Sequence, residues 1–545
     1  TARARLPVAS PTTKADAMEL IVGRPQGSPV VRDYLAGEPS VRPFFPRSFT
    51  SAEDFKAKAA EVDSRFDRAA RERAVEALIV PPGADAPRLE SFVELGGYMI
   101  TTGQQPALFG GPLYNLNKAL TAVRLAEALE STLGKPVIPV FWVASDDHDW
   151  AEANHTDVIG VDNELHRFSI DSPDPDVHPP IHRIPLGPTA EDRAKEFLQS
   201  MPDTDFSGEY FELIRRAFTS TATLSEGFHT VYQKLLGRFG IFFTDSAGPA
   251  VKQHSAETLL EELDRCEEFE TVLRASCDAL EAAGYGIQVP ILEGGVNLFL
   301  EGPAGRERIY RQDGGFRLRT SDTQLSADDV RARQAEDPVV LSPNVLLRPV
   351  IESMIFPTLS YVGGPGEMAY FAQLSDYFRA HGLEMPIVYP RFGVTPVETK
   401  IRKVLQKFGL EVEALNRPFH EVAGDIVREE VPADVKKALV GLRGSIGKGV
   451  GELQQAVKPI DPTLKGTVQH VHSQAFAAID DLEKKILHAL KRENEIALSQ
   501  LEKAQVHLFP NGTPAERIQN PFYFLTRYGG AVLDSLYEQF RVNLD

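Results

Sequence analysis

The chain is poor in cysteine, with only two in 545 residues. Both, Cys266 and Cys277, lie in the stretch from Val251 to Ala283, whose apolar pattern predicts a helix. Eleven residues of helix span roughly 16 Å, whereas the Cα atoms of a disulfide lie within about 7 Å of each other. A disulfide between them is therefore excluded, and we expect two thiols packed on a helix face.

Long apolar runs and an excess of basic residues are also missing. No stretch approaches the roughly 20 apolar residues that cross a bilayer, and the first ten residues, TARARLPVAS, contain no hydrophobic region typical of a signal peptide. The 58 basic residues are outnumbered by 77 acidic ones, and the resulting net charge of −19 repels a polyanion. We therefore expect a cytoplasmic protein without a membrane span, and we do not expect nucleic acid as its main partner.

The chain does contain enough apolar material for a large core. Hydrophobic residues make up 42% of it, and its length exceeds what one core accommodates, so several structural units are expected. A strand at Tyr98–Thr101, a loop at Thr102–Pro112, a helix beginning at Asn115 and a strand at Val137–Ala144 follow one another. This order predicts a βαβ unit, and therefore an α/β fold with a parallel sheet.

Further strands are predicted downstream of this unit, and a second glycine loop, Gly363–Gly366, connects one of them to a helix that begins near Glu367. The predicted strands are Ile241–Thr244, Gly286–Leu292, Asn297–Leu300, Leu359–Val362 and Ile387–Tyr389.

From about Thr395 the pattern becomes that of a long antiparallel helical hairpin, broken at Lys458–Pro462. Glycines crowd the first arm, each costing roughly 1 kcal/mol relative to alanine in a helix. Either the arm frays there, or the glycines allow another backbone to approach closely. They are Gly441, Gly444, Gly447, Gly449 and Gly451.

The segment FWVASDDHDWAEANH places acidic and imidazole groups directly after the second strand. In open parallel sheets, ligands bind beyond the carboxyl ends of the strands, so Asp146–Asp149 are expected to border a ligand crevice. If the following residues are helical, His148, Glu152 and His155 lie on one face. The alternative is that the acidic residues only cap a helix.

Two glycine loops could allow close backbone approach to a ligand. The first could bind an anion through N–H groups at a helix start, and in the second Glu367 could hold an amine or hydroxyl. The first, TGQQPALFGGP, matches neither the Walker pattern nor GxGxxG, and a tight turn without a ligand is the alternative. Lys118 could add a positive charge to it, although a lone lysine is usually a solvated surface residue. Arg348, Arg391 and Lys400 are candidate clamps for carboxylate or phosphate.

Four long blocks of the sequence resemble the bacillithiol biosynthesis cysteine-adding enzymes, the BshC family. They are TGQQPALFGGPLYNLNKALTAVRLA, PVFWVASDDHDWAEANH, SPNVLLRPVIESMIFPTLSYVGGPGEMAYF and LFPNGTPAERIQNPFYFLTRYG. The resemblance implies a Rossmann-like parallel-sheet core similar to class I nucleotidyltransferases, with inserted connecting segments. It also implies an α-helical coiled-coil domain that forms a homodimer. On this basis we assign residues 1–394 to the core, 395–507 to the coiled-coil hairpin and 508–545 to a segment that returns to the core.

The reaction that the resemblance implies is the last step of bacillithiol biosynthesis, in which a ligase joins cysteine to the amine of glucosaminyl malate. The cysteine carboxylate needs activation, and an adenine nucleotide, ATP or ADP, is the implied cofactor, as substrate or as regulator. His148, Asp147 and Asp149 are the candidate catalytic residues, and the amine's base is His148 or Asp147. The candidates for binding substrate or phosphate are Thr102, Gly103, Gln104, Gln105, Asn115, Lys118, Asn154, His155, Asn344, Arg348, Gly364, Gly366, Glu367 and Arg391.

Two other functions remain open from the residues alone. Asp147, His148, Asp149 and His155 are ligand types that suit zinc or manganese, which would make the chain a metal-dependent hydrolase. The helical hairpin could alternatively be the working part of a nucleotide-binding scaffold.

Overall fold

The computed structural model describes residues 18–172, 174 and 176–545. The first ten residues, on which the signal-peptide prediction rests, lie outside this range. The described chain forms two compact units. The first comprises Leu20–Pro396 and Glu516–Asp545, and the second comprises Val397–Ala515 with residues 18–19. Within the described residues, no helix is both long enough and apolar enough to cross a membrane.

The first unit contains both strands and helices, and the second unit is largely helical. The strands are β1 (Met18–Gly23), β2 (Tyr98–Gln104), β3 (Val137–Val143), β4 (His155–Ile159), β5 (Leu165–Ser169), β6 (Phe242–Asp245), β7 (Gly295–Gly302), β8 (Gly305–Gln312), β9 (Gly315–Leu318), β10 (Gln324–Leu325), β11 (Leu341–Pro343), β12 (Thr358–Gly363), β13 (Ile387–Pro390) and β14 (Gly393–Glu398).

The helices are α1 (Pro29–Ala36), α2 (Ala52–Arg65), α3 (Arg68–Glu76), α4 (Pro87–Glu94), α5 (Tyr114–Leu133), α6 (Trp150–Ala153), α7 (Thr189–Gln199), α8 (Ser207–Ala217), α9 (Leu224–Leu236), α10 (Pro249–Asp264), α11 (Cys266–Ala282), α12 (Ala327–Glu336), α13 (Arg348–Ile355), α14 (Pro365–Phe371), α15 (Ser375–Ala380), α16 (Thr399–Phe408), α17 (Phe419–Glu430), α18 (Ala433–Val457), α19 (Leu464–Glu493), α20 (Glu495–Leu508), α21 (Ala515–Ile518), α22 (Phe522–Tyr528) and α23 (Ala531–Gln539). Short 3-10 helices occur at Pro39–Val41, Leu108–Gly110, Ile181–Arg183, Gly237–Phe239, Pro338–Val340, Val412–Asn416 and Pro510–Gly512.

A five-stranded parallel sheet forms the centre of the first unit, with the strand order β13-β12-β2-β3-β6. If these five strands are renumbered 1 to 5 in chain order and the sheet is read from β6 to β13, the order is 3-2-1-4-5, which is the Rossmann order. The predicted βαβ unit is confirmed as β2, α5 and β3. Because the order reverses between β2 and β12, a crevice is expected at the carboxyl ends of these two strands.

The central strands read as continuous apolar runs because both of their faces are covered. All seven residues of β3 are buried, as are the first six of β2. Gly134 ends α5 in the left-handed conformation, with φ of 66°, and returns the chain to the start of β3.

A second sheet is antiparallel and lies in the same unit, in the order β10-β9-β8-β7-β11. The predicted strand at Asn297–Leu300 lies within β7, in this sheet and not in the parallel one. The predicted strand at Gly286–Leu292 is wrong, since these residues have no regular structure. Pro290 within that stretch has no N–H to donate to a ladder.

Two predicted element boundaries beside the site also need correction. Strand β2 continues through Gly103 and Gln104 because its ladder with β3 extends to the pair Gln104 and Val143. Helix α6 spans only Trp150–Ala153, so His148 precedes it and His155 begins β4. These two histidines and Glu152 therefore do not share a helix face.

The helix predicted over Val251–Ala283 is two helices, α10 and α11, which meet at Arg265. Both cysteines, Cys266 and Cys277, lie on α11 and are free thiols, as expected.

The predicted helical hairpin is confirmed in the second unit, where α18 packs against α19. Helix α18 is continuous over 25 residues, so the arm does not fray at its glycines. A Cβ atom built on any of these five glycines meets nothing within 4 Å, so no described backbone approaches them closely either. The fraying explanation is therefore wrong, and no part of the described chain supplies the backbone that the second explanation requires, so the second explanation stays a prediction.

Replacing Gly444 and Gly447 together by alanine is expected to stabilise α18, because alanine is less free in the unfolded chain and fits without a clash. The expected gain is about 0.5–1 kcal/mol per substitution, seen as a higher midpoint of the helical circular-dichroism transition at 222 nm. Gly134→Ala is the matched control, and it should destabilise because its φ is 66°. An unchanged or lower midpoint for the double variant would contradict the prediction.

Candidate active site

A cavity of about 640 Å³ opens at the carboxyl ends of β2, β3 and β12. It therefore lies where the order of the parallel strands reverses. The antiparallel sheet supplies another part of its lining through Phe299, Arg306 and Arg308. The predicted site residues that line it are Gly103, Gln104, Gln105, Lys118, Asp147, His148, Asn344, Arg348, Gly364, Gly366, Glu367 and Arg391.

Lys118 is buried in this cavity, with 1% of its surface exposed, and is not the solvated residue that a lone lysine suggests. Its Nζ lies 2.7 Å from Glu367 Oε2 and donates to the Gly103 carbonyl and to Gln104 Oε1. Burial lowers the pKa of Lys118, because the charged form loses solvation. Burial alone would raise the pKa of Glu367, but the Lys118 charge and the Gly364 N–H lower it. We therefore describe the two as an ion pair.

Arg348 is held by three partners at the start of α13. It contacts Glu352 at 2.9 Å and donates to the hydroxyls of Tyr370 and Tyr361. Glu352, which is 1% exposed, balances the guanidinium charge. Because Glu352 already balances its charge, Arg348 would attract a substrate carboxylate less strongly than an unpaired arginine at the same place.

Arg391 is also neutralised. It is 1% exposed, and its two terminal nitrogens contact Glu516 at 2.7 and 3.1 Å. Glu516 also accepts from the Val394 N–H and from Asn117 Nδ2. This pair secures the C-terminal residues of the first unit beside the cavity.

Asp147, His148 and Arg306 form a second charged group in the cavity. His148 Nδ1 lies 3.0 Å from Arg306 Nη1 and 3.5 Å from Asp147 Oδ1. A guanidinium only donates, so the shorter contact requires a lone pair on Nδ1 and a proton on Nε2. Burial would raise the pKa of Asp147, but hydrogen bonding from His148, whose backbone N–H donates to Oδ1 at 2.7 Å, and the Arg306 charge lower it to about 2. In this arrangement Asp147 is ionised and His148 is a hydrogen-bond donor through Nε2.

The four residues Asp146–Asp149 do not act as one group. Asp146 is buried, pairs with Lys252 at 3.3 Å and accepts from Ser246. Asp149 accepts from the Glu152 N–H and caps α6. The capping alternative therefore holds for Asp149, which does not line the cavity.

The structure places four further predicted residues outside the larger cavity. Thr102 is buried and donates to the Val362 carbonyl, because β2 and β12 are neighbouring strands. Asn154 donates to the Ile170 carbonyl. Asn115 and His155 line a separate, smaller cavity of about 210 Å³.

The two glycine loops differ in what their glycines do. A Cβ at Gly103 would lie 3.0 Å from the Trp142 carbonyl, so this glycine allows β2 to approach β3. A Cβ at Gly366 meets nothing within 4 Å, so this glycine leaves open space beside the cavity.

Lys400, the remaining candidate clamp, pairs with Glu398 in the second unit.

Several residues of the cavity were not predicted from the sequence. Gln288, Phe299, Arg306 and Arg308 come from the segments between the parallel strands, and no recognisable motif marks them. The other such residues that carry polar groups are Tyr114, Tyr361, Tyr370 and Arg517.

Comparison with known proteins decides the family. The model of the N-terminal Rossmann-like domain of the bacillithiol biosynthesis protein BshC matches residues 17–392. The model of its C-terminal coiled-coil domain matches residues 394–543. The chain belongs to the BshC family.

Curated relatives agree over most of the chain, and each of the three described here is named "Putative cysteine ligase BshC". The one from Salinibacter ruber is 32% identical over 84% of this chain and 83% of its own. The one from Symbiobacterium thermophilum is 30% identical over 94% and 95%. The one from Geobacillus thermodenitrificans is 28% identical over 94% and 96%.

A metal-dependent hydrolase is not favoured for this member of the BshC family. Among the described residues, no three histidine, cysteine, aspartate or glutamate side chains form a group that could hold a metal ion. The proposed ligand His155 lies outside the cavity that contains Asp147 and His148.

Glu516→Ala is expected to destabilise the first unit by about 3–5 kcal/mol, because it leaves the buried Arg391 charge without its partner. Both tryptophans, Trp142 and Trp150, lie in this unit, so tryptophan fluorescence during urea unfolding measures it selectively. Glu516→Leu combined with Arg391→Met should recover most of the loss, since no buried charge remains. A loss below about 1 kcal/mol for the single variant would contradict the prediction.

Proposed function

We propose that this chain is a cysteine ligase that joins the carboxylate of L-cysteine to the amine of glucosaminyl malate, the last step of bacillithiol biosynthesis. One observation carries the proposal. In a member of the BshC family, Lys118 with Glu367 and Asp147 with His148 line a single cavity at the strand-order reversal. The relatives' name, "Putative cysteine ligase BshC", supports the cysteine-ligase part of the proposal.

The chemistry requires an activated carboxylate, as an adenylate or an acyl phosphate. The unprotonated amine attacks the activated carbonyl carbon, the C–N bond forms, and AMP or phosphate leaves with the electron pair. A base accepts the proton that the amine loses. The protein contributes by positioning the reactants and stabilising charge.

His148 is the proposed base. When Nδ1 carries the proton, it can donate to Asp147, and Nε2 then has a lone pair for the amine proton. Nδ1 lies 3.5 Å from Asp147 Oδ1, so this tautomer requires the proton to move from Nε2 to Nδ1 and Nδ1 to exchange its contact with Arg306 for one with Asp147. Asp147, with a pKa of about 2, is a weak base and is better suited to orient the ring.

His148→Ala is expected to leave the fold intact and to lower ligase turnover by about 100-fold or more, because a positioned base is lost. Product formation from cysteine, glucosaminyl malate and ATP would be followed by mass spectrometry. His166→Ala is the control, since His166 lies on β5 and its ring contacts Asp162. Near wild-type turnover in folded His148→Ala would refute the role of His148.

We further propose that an adenine nucleotide binds the second unit. A cavity of about 160 Å³ there is lined by basic residues of α19. Lys484, His488 and Lys491 are spaced by four and three residues, and therefore lie on one helix face. Neither lysine has a hydrogen bond or an ion pair among the described residues, so both charges are available to phosphate oxygens.

Replacing both Lys484 and Lys491 by glutamine is expected to weaken ADP binding at least tenfold in calorimetry, because two phosphate contacts are lost. Lys465→Gln removes an exposed lysine of the same helix, away from the cavity, and serves as the control. Unchanged affinity in the double variant would place the nucleotide elsewhere in the protein.

A homodimer through the helical hairpin is also proposed. Large apolar side chains of α18 and α19 are exposed, and a partner helix would bury them. They are Val440, Leu442, Leu453, Val471 and Leu482. The two free thiols suit a reducing compartment such as the cytoplasm, where we expect the enzyme to act.

A further inference from the structure

The smaller cavity lies beside the proposed active site and shares part of its lining. Its volume, about 210 Å³, is roughly one third of that of the larger cavity. A ligand at the shared wall would therefore be adjacent to a ligand in the larger cavity. The shared residues are Gln104, Gln105, Tyr114, Glu152 and Arg517.

Two side chains of opposite charge on this wall have no charged partner. Within the described part of the chain, the Glu152 carboxylate and the Arg517 guanidinium each lack a hydrogen bond and an ion pair. The Arg517 guanidinium carbon lies 5.9 Å from the centre of the Tyr114 ring. In contrast, Lys118 and Arg391 in the larger cavity are already paired with carboxylates.

The charges of Glu152 and Arg517 both act on the hydroxyl of Tyr114. Burial and the Glu152 charge raise the pKa of Tyr114, the Arg517 charge lowers it, and the net pKa is about 12. Burial also raises the pKa of Glu152, and the negative charges of Asp149 and Asp147 add to the effect. A cation beside Glu152 would relieve this repulsion.

The rest of the lining of the smaller cavity is apolar except for Asn115, His155, Thr156 and one ion pair. Asp157 and Arg167, its other pair of charged residues, bind each other through two hydrogen bonds of 2.9 Å. Its apolar lining suits a small, uncharged side chain such as a thiol. The apolar residues are Pro106, Ala107, Pro112, Ala153 and Ile518.

We propose that the smaller cavity is the subsite for the α-amino acid substrate, with its carboxylate at Arg517, its ammonium at Glu152 and its thiol in the apolar part. The assignment rests on the proposed function. It satisfies both unpaired charges with one zwitterion, since a guanidinium binds a carboxylate in a fork. It also places the reacting carboxylate at the shared wall, beside the larger cavity in which the amine substrate would bind.

The test compares Arg517→Gln and Glu152→Gln with two controls, Arg541→Gln and Glu538→Gln, which remove exposed charges outside both cavities. In the ligase assay, KM for cysteine should rise at least tenfold in each test variant. KM for glucosaminyl malate should change less than twofold. A rise confined to glucosaminyl malate, or no change in either KM, would overturn the assignment.

Two analogues assign each contact. Cysteamine lacks the carboxylate, and 3-mercaptopropionate lacks the ammonium. Arg517→Gln should weaken inhibition by 3-mercaptopropionate but not by cysteamine, and Glu152→Gln should do the reverse. A variant that weakens both analogues equally would indicate a general disturbance of the cavity and would count against the assignment.

Calorimetric binding of cysteine to the full chain separates this proposal from the ligase proposal. If the wild-type chain binds cysteine and both variants lose it, the subsite stands even when no ligation is detected. If the wild-type chain ligates cysteine and the variants keep its affinity, the subsite is wrong while the function stands.

Discussion

The ion pair between Lys118 and Glu367 joins the two halves of the parallel sheet. Lys118 lies on α5, which follows β2, and Glu367 lies on α14, which follows β12. These strands are neighbours at the reversal of strand order, so the pair closes the base of the crevice. Because Lys118 is 1% exposed, removing its partner would leave a desolvated charge and would disturb both glycine loops.

Charge in the cavity is largely balanced before any ligand arrives. Lys118, Arg348 and Arg391 each pair with a glutamate. Preformed pairs of this kind hold side chains in place at no reorganisation cost during the reaction. Specificity for a charged substrate then depends on the groups left without partners, and Glu152 and Arg517 are the clearest of these.

Prediction from sequence succeeded where the signal is local. The βαβ unit and the helical hairpin were recognised because apolar periodicity and glycine or proline breaks lie within a few residues of each other. It failed at Gly286–Leu292 and over the length of the helix expected to carry both His148 and His155, since α6 spans only Trp150–Ala153. In both places a short run is compatible with several structures. The four blocks of the BshC resemblance are spread over residues 102–529, and each contributes residues to the lining of the cavity.

By itself, the sequence determined that acidic, imidazole and glycine-rich segments follow parallel strands, which places them at one edge of a sheet. Only the tertiary structure decided which charged side chains of these segments are paired with a group from a remote part of the chain. Arg306 meets His148 across 158 positions and Arg391 meets Glu516 across 125. Such pairings depend on desolvation and on distances of a few ångströms between remote segments, and neither property is encoded in local pattern.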